Sequence, residues 1–394
     1  MARGIPADRA LAAHYREHRE FGSRDRRFFS NMVFAWLRWR GWLPGAASDG
    51  NLLAAACLDG LAEHPTLAWL AQQRGEPPPS SWTGLSLPER ALQLRDLFRV
   101  TTPPAPEALL PEWFAEVLFQ PDPQNAASHL LACINAFQSR PPTWVRTDRH
   151  PPGCAPALPP DSRRHPDIAG AAALPPQLPP DFNPNFTRHL EIQDLASQAV
   201  GLICAPRPGE FWWDVCAGSG GKALHLADLM QGAGTVLATD TRSGALATLQ
   251  KRLRKHASLK VRSRLAGTAR APKAGFDGVL VDAPCSGLGT WHRNPDARWR
   301  TEREQVISQA LAQKQLLDDA AGKVRAGGRL VYAVCTLTKA ETVDVLDDFL
   351  EHHKEFKPCP GAHPLTGEQS DGRFWIWPWQ GKCNGMFIAA LQRD

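Results

Sequence analysis

The chain has 394 residues, 43% hydrophobic and 22% charged, with a net charge of +5. That length and composition suit two or three globular domains and exclude wholesale disorder. No apolar run approaches the ~20 residues of a membrane span, and Met1–His14 lacks the apolar core of a signal peptide, so a cytoplasmic location is expected.

From about Ala7 to Val100 the pattern is helical. In RRFFSNMVFAWLRWRGWL, Phe29, Met32, Val33, Trp36 and Leu37 recur at helical spacing with arginines between them. Further helices are expected near Leu52–Leu58, Pro65–Gln73 and Leu87–Val100. Arg3, Arg9, Arg16, Arg19, Arg24, Arg26, Arg27, Arg38 and Arg40 make this stretch basic. Such a run suits either phosphate contacts or a solvated helix face. Thr101–Pro106 is expected to be a linker, Ala126–Phe137 a helix and Pro151–Pro180, rich in Pro, Ala and Arg, largely loop. The 14 tryptophans against 2 tyrosines have no physical account at this level.

After about Asn185 strands and helices alternate. Strands are expected at Glu210–Val215, Thr235–Thr239, Lys260–Arg264, Gly278–Val281 and Arg329–Val334. Helices are expected at Lys222–Gln231, Gly244–Lys255, Glu302–Val324 and Glu341–His353. Alternation of this kind predicts an α/β fold, a parallel sheet with helices on both faces. Strands near Arg373–Trp377 and Met386–Leu391 would complete it, at least one of them antiparallel. Three domains follow: a helical region over 1–105, a linker and small intermediate subdomain over 106–190, and an α/β domain over 191–394.

Two features carry chemistry. DVCAGSGGK (Asp214–Lys222) follows a strand and opens a helix. Its glycines let the backbone approach a ligand, and the helix start offers free N–H groups. Asp240 ends the next strand, where an acid can bind both hydroxyls of a ribose. The loop is neither GxGxxG nor a P-loop, so a nucleoside cofactor such as S-adenosylmethionine is favoured over a dinucleotide. The second feature is a pair of thiols at strand ends: Cys285 in FDGVLVDAPCSGLGTWHRNPDARW and Cys335 in GRLVYAVCTL. The nine cysteines are odd in number and lack CxxC spacing, which predicts free thiols and no metal site. Equivalent tips of adjacent strands lie about 5–10 Å apart.

This constellation fits methylation of cytosine carbon 5. A thiolate adding at C6 turns C5 into an enamine-like carbon that accepts a methyl group. Asp282 is placed to hydrogen-bond the N3/N4 edge, and loss of the C5 proton needs a base. Lys222 can touch the base or keep a thiolate charged. The chemistry alone does not choose between Cys285 and Cys335 as nucleophile.

DVCAGSGGK, VDAPCSGLGTWHRNPDARW and YAVCTL resemble three signature motifs of the Sun-type RNA cytosine-5 methyltransferases, and HLEIQDLASQAV (His189–Val200) resembles their entry helix. The resemblance implies a Rossmann-type S-adenosylmethionine methyltransferase domain preceded by an all-α, NusB-like RNA-binding domain. It implies Cys335 as nucleophile and Cys285 as the thiol that assists release. Cofactor binding would fall to Cys216, Ala217, Gly218, Ser219, Gly220, Gly221, Lys222, Asp240 and Asp282. RNA, ribosomal RNA foremost, is the expected partner of a monomer. Inactive RNA-binding assembly factors and enzymes acting on tRNA share these features. The chain also departs from the pattern. Gly218-Ser219 stands for Ala-Pro, LAGTARAPKAG (Leu265–Gly275) lacks the usual acid, TLTKAET keeps Glu341 but not its usual neighbours, and Asn384 replaces a common Asp.

Overall fold

The computed structural model describes residues 4–45, 48–147, 157–179, 181–183, 190–254, 259–268 and 271–394. Arg3, His189, Lys255 and part of the expected loop over 151–180 lie outside these residues. The chain forms two compact units. One runs to Arg140 and takes in Trp291–Arg303; the other comprises Pro141–Thr290 and Glu304–Asp394. The helical unit thus extends beyond residue 105 and includes part of a loop read from sequence as catalytic.

The helical unit contains α1 (Ala7–Glu17), α2 (Ser23–Trp39), α3 (Asp49–Asp59), α4 (Pro65–Gln73), α5 (Leu87–Phe98) and α6 (Ala126–Phe137). Met32, Leu53, Ala56, Leu67 and Ala71 form a shared apolar core among α2, α3 and α4. Phe29, expected to face inward, is 41% exposed. Arg38 is not part of a basic surface: it is buried, pairs with Asp59 at 2.8 Å and donates to the His292 carbonyl. Within this unit Asp296 accepts from the first amide of α1, Ala7 N, at 3.0 Å. Arg298 is fully buried among main-chain carbonyls. Trp291 packs with Trp113, Phe114 and Phe137, so part of the tryptophan excess serves as core.

The second unit opens with a small antiparallel sheet, β1 (Thr143–Thr147), β2 (Arg163–Arg164), β3 (Ala171–Leu174) and β4 (Leu190–Ile192), in the order β2-β3-β1-β4. Part of the stretch expected to be loop therefore pairs as strand. Helix α7 (Leu195–Cys204) follows, capped by Asp194, which accepts from Ala196 N at 3.1 Å.

The main sheet alternates strand and helix: β5 (Phe211–Asp214), α8 (Gly221–Leu229), β6 (Thr235–Asp240), α9 (Ser243–Leu253), β7 (Val261–Leu265) and β8 (Phe276–Asp282). It continues through α10 (Arg303–Ala321), β9 (Val324–Val334), α11 (Val343–His352), β10 (Phe356–Pro358), β11 (Arg373–Ile376) and β12 (Met386–Arg393). The strand order is β10-β12-β9-β8-β5-β6-β7, with β11 also on β12. Strands β5 to β9 are mutually parallel, and β12 is antiparallel to β9, β10 and β11. Both faces are buried. Trp212, Ala238, Leu280 and Val331 meet Leu195, Leu224 and Leu246 on one side. Val279, Val281, Leu330 and Tyr332 meet Leu317, Val345 and Phe349 on the other. Double burial explains why these strands read as near-continuous apolar runs. The chain runs outward from β5 through β6 to β7, then returns to β8 on the other flank of β5. That reversal opens a crevice at the carboxyl ends of the strands, where doubly wound sheets bind ligands.

Candidate active site

Between Asp214 and α8 the backbone turns through Gly218 at φ +56° and Gly220 at φ +86°. A side chain at Gly220 would start 2.2 Å from Leu249 Cδ1, so glycine there lets the loop pack on α9. Gly220 therefore serves packing and is not part of the cavity wall, unlike Cys216, Ala217, Gly218, Ser219, Gly221 and Lys222. Asp240, buried at the tip of β6, accepts from Gly218 N at 2.8 Å. Arg242 reaches the same carboxylate through its backbone N (2.8 Å), Nε (2.9 Å) and Nη2 (3.0 Å). Those guanidinium bonds, against the effect of burial, hold Asp240 below the usual carboxylate range. Arg242 was not singled out by sequence; its two-residue spacing from Asp240 was the signal.

Asp282 ends β8 opposite Ala333 of β9, which places Cys285 and Cys335 just beyond neighbouring strand tips. Their sulfurs are 3.3 Å apart, closer than strand spacing alone gives. Lys222 Nζ donates to Asp282 Oδ2 at 2.7 Å, with the lysine side chain only 13% exposed. Burial acts against the ammonium, but the charge and hydrogen bond of Asp282 outweigh it and raise Lys222 above its ordinary value. The hydrogen bond from Cys285 lowers Cys335, with Lys222 acting in the same direction against burial, Asp282 and Glu341. The same hydrogen bond and burial push Cys285 up. Burial drives Cys216 to about 12, leaving it an unreactive thiol in the wall. The two thiols are thus shifted in opposite directions, Cys335 down and Cys285 up.

One cavity of about 1080 Å³ holds the glycine loop, Asp240, Asp282, Lys222 and both sulfurs. Gln193, Asp194 and Ser197 form part of its wall, as does Arg252, which sequence reasoning did not identify. Arg252 donates to Ser219 O at 2.8 Å and so braces the loop. At the end of β7 the wall is Ala266 and Gly267, without a carboxylate. At Asn384 the main-chain N donates to Asp194 Oδ1 at 3.0 Å. The donor set fits S-adenosylmethionine. First-turn amides of α8 suit its carboxylate, Asp240 suits ribose hydroxyls, and Asp282 offers negative charge towards the sulfonium side.

A doubly wound sheet whose crevice joins a nucleoside cradle to two cysteines has the fold of a Rossmann-type methyltransferase domain. Residues 201–392 match the model of the family described as 16S rRNA methyltransferase RsmB/F. The likeness to that family is carried by this domain. It is 36% identical over 211 residues to a probable ribosomal RNA small subunit methyltransferase B from Synechocystis, covering 51% of this chain and 47% of the relative. The ribosomal RNA small subunit methyltransferase B of Salmonella paratyphi A is 31% identical over 291 residues, covering 68% and 65%. For the Synechocystis and Bacillus subtilis relatives the match spans about half of the relative's length, 47% and 48%. The crystal structure of PH0851 shares the fold, with a TM-score of 0.69 at 21% identity over 98% of this chain and 95% of that one. Among the described residues no helix is long and apolar enough to cross a membrane.

Proposed function

We propose that the protein methylates carbon 5 of a cytosine in RNA, 16S ribosomal RNA foremost, with Cys335 as the nucleophile. The observation that carries this reading is the 3.3 Å approach of the Cys285 and Cys335 sulfurs inside the cavity that also holds the glycine loop and Asp240. S-adenosylmethionine supplies the methyl group. Cys216, Ala217, Gly218, Ser219, Gly221 and Lys222, with Asp240, would hold it. Cys335 adds to C6 of the cytosine, and the electron pair displaced from the C5–C6 bond makes C5 nucleophilic. Asp282, kept in place by Lys222, hydrogen-bonds the N3/N4 edge and stabilises the adduct. After methyl transfer the C5 proton leaves to a base, the C5–C6 double bond re-forms and Cys335 is expelled. Cys285 assists that release.

The target must leave its stack to meet both sulfurs, so a loop, a bulge or incompletely assembled ribosomal RNA suits it. Arg9, Arg16, Arg19, Arg24, Arg27 and Arg40 are exposed on the helical unit, which supports a NusB-like role in gripping phosphates. The missing acid beyond β7 favours a second reading, an RNA-binding assembly factor without catalysis. The intact set of Cys335, Cys285, Asp282 and Lys222 favours the enzyme.

Incubation with labelled S-adenosylmethionine and 16S ribosomal RNA or tRNA separates these readings and identifies the acceptor. Cys335→Ala is expected to abolish transfer while keeping cofactor binding, and Cys285→Ala to accumulate a protein–RNA adduct stable on denaturing gels. Normal turnover by Cys335→Ala removes that residue as nucleophile. No transfer to any RNA sustains the binding factor.

A further inference from the structure

Behind the two thiols lies a carboxylate to which the reaction gives no part. Glu341 is fully buried, and five donors converge on it. Its oxygens divide the work. Oε1 accepts from two N–H groups, Ser286 N at 2.8 Å and Gln313 Nε2 at 3.0 Å. Oε2 accepts from three hydroxyls, Ser286 Oγ, Thr336 Oγ1 at 3.2 Å and Thr338 Oγ1 at 3.0 Å. Ser286 directly follows Cys285, and Thr336 directly follows Cys335. The hub extends further. Gln313 Nε2 also donates to Pro284 O at 2.9 Å, on the other side of Cys285. Tyr332 Oη, on the strand that leads to Cys335, lies 2.9 Å from Gln313 Oε1 and 2.7 Å from Glu341 O, its one proton serving either acceptor.

We infer that Glu341 is a positioning residue that clamps the two cysteine-bearing loops together and fixes the spacing of their sulfurs. The clamp has a physical rationale. The loops leave separate strands, and a gap of 3.3 Å between side chains needs both backbones held within fractions of an ångström. A buried carboxylate shared by both loops does this more rigidly than either loop's own contacts. It also sets a charge. Cys335 faces Cys285, Asp282, Lys222 and Glu341, and the negative charge of Glu341 disfavours its thiolate.

The division of donors separates the two effects. In Glu341→Gln the amide oxygen can keep the two N–H groups, and two of the three hydroxyls can rotate to accept from the two hydrogens of the amide nitrogen. Position is kept and charge is lost. In Glu341→Ala both go. The inference rests on Cys335 being the nucleophile, but its test does not require turnover. Oxidation of the full-length protein by diamide forms a Cys285–Cys335 disulfide at a rate that reads sulfur spacing. Two thiols give up two hydrogens to the azo group and one S–S bond forms. We expect coupling in Glu341→Ala to slow at least tenfold, with kcat for RNA methylation falling at least as far and KM for S-adenosylmethionine unchanged. Glu341→Gln should couple at close to the wild-type rate, while the pH midpoint for alkylation of Cys335 moves down. If Glu341→Ala does not fold, Thr338→Val removes one strut and should slow coupling by a smaller factor. Wild-type coupling in folded Glu341→Ala, or a Glu341→Gln as slow as it, overturns the clamp. Loss of methylation in the wild type with coupling intact would count against the proposed function alone.

Discussion

Lys222 Nζ lies 2.7 Å from Asp282 Oδ2, so the helix that follows the glycine loop is tied to the strand that carries the Pro-Cys motif. The tie joins the cofactor end of the cavity to its thiol end. It also places a cation beside the pair of sulfurs. Lys222 acts to lower Cys335, whereas the hydrogen bond to Cys335 and burial raise Cys285. The neutral thiol is then available as a hydrogen-bond donor to the proposed nucleophile.

Lys222→Met should therefore move the pH midpoint for iodoacetamide alkylation of Cys335 upward. The substitution removes a cation that acts on that sulfur alongside Cys285, Asp282 and Glu341, and it leaves Asp282 uncompensated. At neutral pH a smaller thiolate fraction should cost about a hundredfold in kcat, within the usual range for loss of one charged participant. Activity should recover partly as pH rises. An alkylation midpoint that stays put or moves down would show that Lys222 does not set the ionisation of Cys335.

The parallel strands and the three motifs were legible because double burial writes continuous apolar runs and because the reactive residues end strands. Other features leave no local trace. Arg298 reaches a carbonyl 189 residues away and Asp296 an amide 289 residues away, so no window of sequence assigns WHRNPDARWR to the helical unit. Strand β9 begins at Val324, where the sequence suggested the end of a helix, because Gly327-Gly328 reads as a break. The strand instead passes through it with a register shift against β8 between Phe276 and Gly278, and Gly327 takes φ +70°. The small sheet was missed because its strands are two to five residues long and one of them, Arg163–Arg164, is exposed and charged. In the site, the thiols and Asp240 were legible by type and position. The Arg242 fork and the Glu341 hub were not, because their meaning lies in which loops they join.

Asp214 gives the second prediction. Its side chain is fully buried at the start of the glycine loop. Burial, with Asp282 adding to it and Lys222 opposing it, raises it to about 8. An unfolded chain ionises this group near 4, whereas the folded chain keeps it protonated to about 8. Between those values the folded state binds the extra proton, so stability falls as pH rises through that window and levels off above it. The full effect is on the order of 6 kcal/mol at most. Asp214→Asn cannot ionise and should escape it. Its melting temperature should exceed that of the wild type at pH 8, and the difference should shrink steadily towards pH 5. A constant difference across that range would mean that Asp214 is not the titrating group.

The last prediction concerns the segment that the helical unit takes from the middle of the chain. Arg298 Nη1 donates to Leu109 O at 2.7 Å and Arg38 O at 3.2 Å, and Nη2 donates to Phe137 O at 3.2 Å. Arg38 is in the last turn of α2, Phe137 ends α6 and Leu109 ends a short 3-10 helix, so three carboxyl-terminal ends point their carbonyls at one guanidinium. Helix ends of this kind carry partial negative charge and unsatisfied acceptors, and a planar fork of donors meets several of them at once. Arg298→Met should leave those carbonyls buried and unpaired, at a cost of ~3–5 kcal/mol, the range for breaking a buried charged contact. Arg298→Lys should be nearly as costly, because one ammonium does not span three acceptors fixed for a fork. Urea unfolding followed by tryptophan fluorescence should register the loss through Trp291 and Trp113, whose rings lie 6.1 Å apart in the same unit. Cofactor binding in mild conditions should survive, since no residue of Trp291–Arg303 lines the cavity. Unfolding curves that overlay the wild type's would reduce Arg298 from an organising contact to a tolerated buried charge.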